Sequence, residues 1–318
     1  MRVSISYIEE LFNLPFQELL ERVAEGKRSK PEWNTVQLNA ALSVKTGACP
    51  EDCAFCPQSA HHKTFVDREA ILDVDQVLPV AQQAYDEGAI EFCLGCAWRR
   101  VPKGRDFERI IEIIHAVKSV GLQACCSMGT VSYEQAVQLK AAGASHYNHN
   151  LDTSPEYYPK VITTRPYSER VECVKDIQAA GLGLSCGGII GMGESVMDRM
   201  RLLQELSNLE EHPDIVPLNA FVAVKGTPLE GLPFIDAHEY ARVLAVARLL
   251  MPDSIISLAA GVPLMSEEMK TLCFQAGANG VYVGKKILQT ETASVDSIKE
   301  VIHGLGMAIK PQRQEVVA

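Results

Sequence analysis

Eight short apolar runs, each followed by a helical pattern, constrain this chain more than any other feature. The runs span 38–44, 90–94, 123–128, 146–151, 182–190, 215–224, 254–258 and 280–283. Helical patterns follow over 73–87, 106–120, 133–142, 167–180, 195–208, 237–250, 266–276 and 294–305. Within 106–120, Ile110, Ile111, Ile114 and Val117 recur at helical spacing. Gly88, Gly121, Gly143 and Gly181 stand where helices should end. Strands alternating with helices pair in parallel, because each helical crossover returns the chain to the same end of the sheet. Eight such units match a closed (β/α)₈ TIM barrel, with an open doubly wound sheet as the competitor. A chain of 318 residues is within the range of one barrel. The expected organisation is an N-terminal helical extension over 1–37, the barrel over 38–310 and a tail over 311–318.

Composition narrows the function classes. A net charge of −10 with no lysine/arginine cluster argues against a nucleic-acid partner. Glu9, Glu10 and Glu18 interrupt the start of the chain, so it does not read as a secretory signal. No uncharged apolar stretch approaches the ~18 residues of a membrane span. A cytoplasmic location is expected. Ten cysteines are too few for a disulfide scaffold, so they are core thiols or metal and redox ligands. Cys173 and Cys273 fall within helical patterns and read as buried thiols.

The first strand is followed by Thr-Gly-Ala-Cys-Pro-Glu-Asp-Cys-Ala-Phe-Cys-Pro, residues 46–57. Cys49, Cys53 and Cys56 can wrap one corner of an iron–sulfur cube and leave its fourth iron open. Zinc is the rival, with His61 or His62 as a fourth ligand, although closed zinc sites favour paired spacings. The loop follows a strand's C-terminal end, where barrel enzymes carry their chemistry. A second polar motif, Tyr-Asn-His-Asn-Leu-Asp-Thr-Ser-Pro-Glu-Tyr-Tyr over 147–158, ends the fourth run. Strand alternation sets Asn148, Asn150 and Asp152 on one face, and His149 and Leu151 on the other. Polar side chains facing a barrel interior are costly unless they bind something.

C-x₃-C-x-aromatic-C, with Phe55 as the aromatic, resembles the signature of the radical S-adenosylmethionine superfamily. Residues 45–47, 147–158, 163–165, 187–194 and 224–229 together are similar to the biotin synthase family, over about 39–286. The resemblance implies a [4Fe-4S] cluster on Cys49, Cys53 and Cys56 whose open iron binds S-adenosylmethionine. Reductive cleavage then yields a 5′-deoxyadenosyl radical, and sulfur from a second iron–sulfur cluster is inserted into dethiobiotin. By the same resemblance, Asn150 and Asp152 hold the ribose, Arg170 holds the methionine carboxylate, and Phe55 and Gly191 lie beside the cofactor. Lys45, Asn148, Asn150 and Asn219 would contact dethiobiotin, with Gln289 and Thr290 at its carboxylate tail. A flavodoxin- or ferredoxin-like electron donor and a homodimer are implied too.

The second cluster's ligands depart from the family pattern. Cys93 and Cys125 match two of them; Ser185 stands at the third, with Cys186 one residue later, and Ser257 replaces an arginine. A bulge at this strand or a different cluster is therefore expected, the latter a cubane-like cluster on Cys93, Cys125 and Cys186. Cys96 and Cys126 are additional candidates, with Cys126 turned outward if its strand is regular. The alternatives are a radical enzyme of different outcome, such as hydrogenase-cofactor assembly, and an iron–sulfur electron carrier.

Overall fold

Each apolar run becomes a stave of one parallel sheet in the computed structural model, which describes residues 2–284, 286–287 and 290–312, the side chains of 286, 287 and 290 excepted. The staves are β1 (Thr35–Lys45), β2 (Glu91–Cys96), β3 (Gln123–Ser127), β4 (Ala144–Asn148), a divided fifth stave of β5 (Gly183–Ser185) and β6 (Gly188–Ile190), β7 (Ile215–Ala220), β8 (Ile255–Leu258) and β9 (Gly280–Tyr282). They pair in chain order, and β1 bonds to both β2 and β9, which closes the barrel. A small antiparallel pair, β10 (Lys286–Ile287) and β11 (Thr290–Glu291), follows, and β12 (Ala308–Ile309) pairs beside the start of β1.

The outer ring consists of α3 (Val74–Asp86), α4 (Arg105–Ser119), α5 (Tyr133–Ala142), α7 (Tyr167–Ala179), α8 (Val196–Ser207), α9 (Ala237–Leu250), α10 (Glu267–Gln275) and α11 (Val295–Gly304). A one-turn helix, α6 (Tyr158–Val161), precedes α7 and has no periodic signal in the sequence. Local chemistry sets the ends. Ser132 and Gln135 form a capping box at the start of α5, and Gly143 closes it in the left-handed conformation, with φ 98°. The main core lies between the staves' outward side chains and this ring.

Helices α1 (Ile5–Asn13) and α2 (Phe16–Ser29) precede the barrel and bury Ile8, Leu11, Leu19 and Val23. A 3₁₀ turn then carries Trp33 to the bottom of the barrel, where its ring stacks 4.9 Å from the fully buried Arg248 guanidinium. Arg248 also donates to the carbonyls of Gly277 and Ser254, at 3.0 and 2.7 Å.

The fourth run is shorter than its alternation suggests. β4 ends at Asn148, yet His149 N and Leu151 N still donate to Ser185 O and Gly187 O, at 2.9 and 3.0 Å. The chain stays extended until Asp152, whose φ of 66° reverses it.

Candidate functional site

The loop after β1 is pinned through the acidic residues between its cysteines. The buried Glu51 carboxylate pairs with Arg99 at 2.8 Å and Arg165 at 3.1 Å, and accepts from the Thr164 hydroxyl at 2.5 Å. Asp52 accepts from the backbone N–H groups of Thr163 and Thr164, at 2.9 and 3.1 Å. Burial disfavours the Asp52 carboxylate, but the bonds from Thr163 and Thr164 outweigh it and hold the group at about 2. His61 and His62 turn their Nε2 atoms to the carbonyls of Pro50 and Cys53, at 3.1 and 3.0 Å. Both rings therefore brace the loop.

Cys49, Cys53 and Cys56 open together on a cavity of about 180 Å³ at the C-terminal end of the barrel. Among the described residues, no three Cys, His, Asp or Glu side chains are gathered so that they could hold a single metal ion. Burial pushes these thiols up, Cys56 to about 11, so a bound metal would have to displace their protons. The cavity adjoins a second of similar volume, lined by Ile189, Phe221, Val222 and Val224. Phe55, Cys56, Gln58, Asn150 and Asp152 border both.

Asp152 is the sharpest feature of this mouth. Its buried carboxylate forms an ion pair with Arg170, Oδ2 lying 2.7 Å from Nη2. A left-handed backbone and a buried carboxylate that borders a cavity beside its cationic partner fit a ligand hydroxyl. Burial raises the Asp152 pKa, against the pull of Arg170 and Arg165. Arg170 also donates to the Tyr158 hydroxyl at 2.8 Å and to Asn150 O at 2.9 Å, which uses three of its five N–H groups. The loop thiols, the polar rim and the apolar neighbouring cavity thus fit a cluster with a nucleoside-bearing ligand.

The other expected contacts divide. Asn148 donates to Ser185 Oγ at 2.9 Å and lies within reach of Asn150. Asn219 is held by the backbone, donating to Gly188 O at 3.1 Å and accepting from Ala260 N at 3.0 Å. Lys45 reaches back to the carbonyls of Gly47 and Ala97; burial lowers its pKa, partly offset by Cys49 and Cys96. Gly191, at φ 102°, has its N–H held by Glu194 at 2.9 Å. Gln289 and the side chain of Thr290 lie outside the described residues.

Cys93 and Cys125 are register partners on β2 and β3, buried inside the barrel with Ala41, Ala259 and Tyr282. Their thiols and the Tyr282 phenol share this interior, and their mutual proximity and burial hold Cys125 and Tyr282 well above their ordinary pKa values. Cys186, expected beside them, belongs instead to the core outside the staves. The inward position on that stave is held by Ser185, so a three-thiol set of Cys93, Cys125 and Cys186 is not assembled. Cys126 packs outward, as alternation implies. Cys96 joins the outer core but also borders the mouth cavity. Cys173 and Cys273 are buried core thiols.

Several residues at the mouth were not singled out by sequence reasoning. Glu51, Arg99 and Arg165 form the loop's ionic anchor, His149 and Trp98 line its cavity, and Glu194 ties the glycine turn. For the anchor, the acidic pair inside the cysteine motif was a local signal, and Arg165, His149 and Glu194 lie within the motif segments without a role of their own. The acidic pair's partners lie ~50 and ~110 residues away in sequence, beyond any local pattern.

The comparisons agree with this architecture. Residues 43–206 match the model of the radical SAM superfamily, and 217–308 that of the biotin and thiamin synthesis associated domain. The biotin synthase of Methylibium petroleiphilum is 46% identical over 306 residues, covering 96% of this chain and 92% of that one. That of Coxiella burnetii is 45% identical over 308 residues, covering 97% and 96%. The FeFe-hydrogenase maturase of Carboxydothermus hydrogenoformans superposes with TM-score 0.82 at 16% identity, covering 97% of this chain and 76% of that one. Methylornithine synthase gives 0.78 at 20%, covering 98% and 95%. These two establish the fold alone. Near-full-length identity of this size, with both domain matches on one closed barrel, means that the chain belongs to the biotin synthase family of radical S-adenosylmethionine enzymes.

Proposed function

We propose that this chain converts dethiobiotin to biotin by radical insertion of sulfur, at the mouth where Cys49, Cys53 and Cys56 meet Asp152 and the asparagine pair. The observation that carries this reading is the buried Asp152 carboxylate, paired with Arg170 and set between the thiol-lined cavity and the apolar one. Bound there, a [4Fe-4S] cluster and S-adenosylmethionine supply hydrogen abstraction from unactivated carbon. The three loop cysteines hold the cluster, with Glu51 and Asp52 fixing the loop that carries them. Asp152 and Asn150 receive the ribose hydroxyls, while Phe55, Ile189 and Val222 flank the adenine. Arg170 orients Asp152 and keeps two free donors for the methionine carboxylate. Asn148 and Asn219 line the two cavities and bind the ureido ring of dethiobiotin, joined by Lys45 when its ammonium leaves the carbonyls of Gly47 and Ala97.

Sulfur comes from an auxiliary iron–sulfur cluster inside the barrel, at Cys93 and Cys125. A flavodoxin- or ferredoxin-like reductant and a homodimeric functional unit complete the proposal, on the resemblance to the family alone. The ten cysteines, all free, suit a reducing cytoplasm. No helix among the described residues is long and apolar enough to cross a membrane.

The test is anaerobic turnover of reconstituted protein with reductant, S-adenosylmethionine and dethiobiotin, analysed by mass spectrometry. Both 5′-deoxyadenosine and biotin are expected. Deoxyadenosine without biotin would assign the chain another substrate, and neither product from cluster-loaded protein would overturn the reading.

A further inference from the structure

We infer that the auxiliary cluster is held by two protein thiolates only, Cys93 and Cys125, and that Cys186 is not a ligand. This rests on the two-cluster reading above and deepens it. The first support is the direction of side chains along the divided fifth stave. Ser185 pairs with Ile215 and Gly188 with Leu218, so β5 and β6 stay in step with β7 and no residue is inserted. Side chains therefore alternate without interruption. Ser185 faces inward, bonded to Asn148, and Ile189 faces the mouth cavity. Cys186, Gly188 and Ile190 face outward. Ile190 lies in the outer core, a Cβ on Gly188 would strike Leu202 of α8, and Cys173 of α7 is among the thiols close to Cys186.

The irregularity lies in the neighbouring stave. Asn148 pairs with Ser185 and Asp152 with Gly188, so four steps along one chain oppose three along the other. This bulge re-aims Asn150 and Asp152 toward the mouth and leaves Cys186 where alternation put it.

The interior supplies the second support. Cys93 and Cys125 are register partners on adjacent staves and face inward together, with the small Ala41 and Ala259 around them. Buried oxygen donors also face the interior, among them Ser185, Ser257 and the Tyr282 phenol. Ser257 makes only a long 3.5 Å contact to Leu258 O, so its hydroxyl is poorly engaged within the protein. Two residues before Cys93, on the same face, the fully buried Glu91 pairs with His146 at 2.6 Å. A site with a carboxylate below it and, among the described residues, no guanidinium beside it disfavours further anionic ligands. Two thiolates balance the charge of an oxidised two-iron core, and oxygen donors can complete its coordination without adding charge.

The test uses full-length protein reconstituted anaerobically, with iron and acid-labile sulfide analysis and Mössbauer spectra. Cys186→Ala and the bulkier Cys186→Val should retain wild-type iron and an unchanged auxiliary spectrum. Cys125→Ala should lose the auxiliary iron and keep the loop cluster, seen by its spectral response to S-adenosylmethionine. Ser185→Cys should keep the iron stoichiometry and shift the auxiliary spectrum, since a thiolate replaces an oxygen donor. Loss of auxiliary iron in both Cys186 variants, with the loop cluster intact, would overturn the assignment. Wild-type protein that takes up only about four irons per chain would overturn the two-cluster reading beneath it.

Discussion

Asp152 concentrates the site's chemistry in one side chain. Its neutral isostere in Asp152→Asn removes a charged acceptor and leaves Arg170 without its counter-charge. Hydrogen bonds to charged groups contribute about 1.5–3 kcal/mol, so affinity for S-adenosylmethionine should fall on the order of 10–100-fold. Calorimetric titration of the cluster-loaded variant reads this directly. His149, beside it in the chain, is buried and near Arg170 and Arg165. Burial first, and then those two charges, press its pKa well below the usual imidazole value. The folded chain thus keeps His149 neutral where the unfolded chain would protonate it. Its contribution to stability is complete above about pH 6.5 and is lost as pH falls below that, until the depressed folded value is reached. In His149→Gln, the loss of stability between pH 7 and pH 5 should shrink by up to about 1.4 kcal/mol per pH unit, measured by urea midpoints.

Among the elements, the cysteine loop depends on a distant segment for its shape. Thr164 donates to Glu51, accepts from Asp52 N at 3.1 Å, and offers its own N–H to Asp52. Thr164→Val keeps the side chain's shape and removes the hydroxyl. With the hydroxyl's two bonds contributing about 1 kcal/mol each, iron in the loop should be lost to a chelator roughly 30-fold faster. The fold and the interior cysteine pair should be unaffected, so far-ultraviolet circular dichroism should not change. The same anchor explains why three cysteines so close in sequence keep one arrangement. Two arginines and a threonine from other crossovers hold the loop's backbone, and the buried Glu51 has no reason to be there without them.

Across the whole molecule, the N-terminal helices and the barrel fold as one unit. The contact of Trp33 with Arg248 joins the extension to α9, and Lys27 Nζ donates to Phe274 O at 2.8 Å on α10. Burial lowers the Lys27 pKa to about 8, with the nearby Arg248 charge adding to the effect. Trp33→Ala should cost roughly 3–5 kcal/mol, as loss of a large buried aromatic does. Arg248→Ala would leave Asn279 and two backbone carbonyls without their donor, a loss of similar size. Because the two side chains touch, the double variant should fall short of the sum by more than about 0.5 kcal/mol. Additive losses in a thermal-unfolding cycle would mean that the extension and barrel are stabilised separately.

Periodicity alone made the eight staves, the helices between them and the barrel legible, because each depends on the order of apolar residues along a short segment. The C-x₃-C-x₂-C spacing was equally local, and so were the inward Asn148 and the outward Cys126, which follow from alternation within one strand. What no segment could specify was the meeting of elements. Asp152 reverses the chain because one stave outruns its neighbour by a residue, and Cys186 points away because β5 and β6 keep step with β7. The Glu51 anchor and the Arg248 contact likewise join residues separated by half the chain or more in the second case and by a third in the first. Strand register and long-range ion pairing are decided only when all the staves close on one another, since only then do burial and charge make one arrangement cheaper than its alternatives.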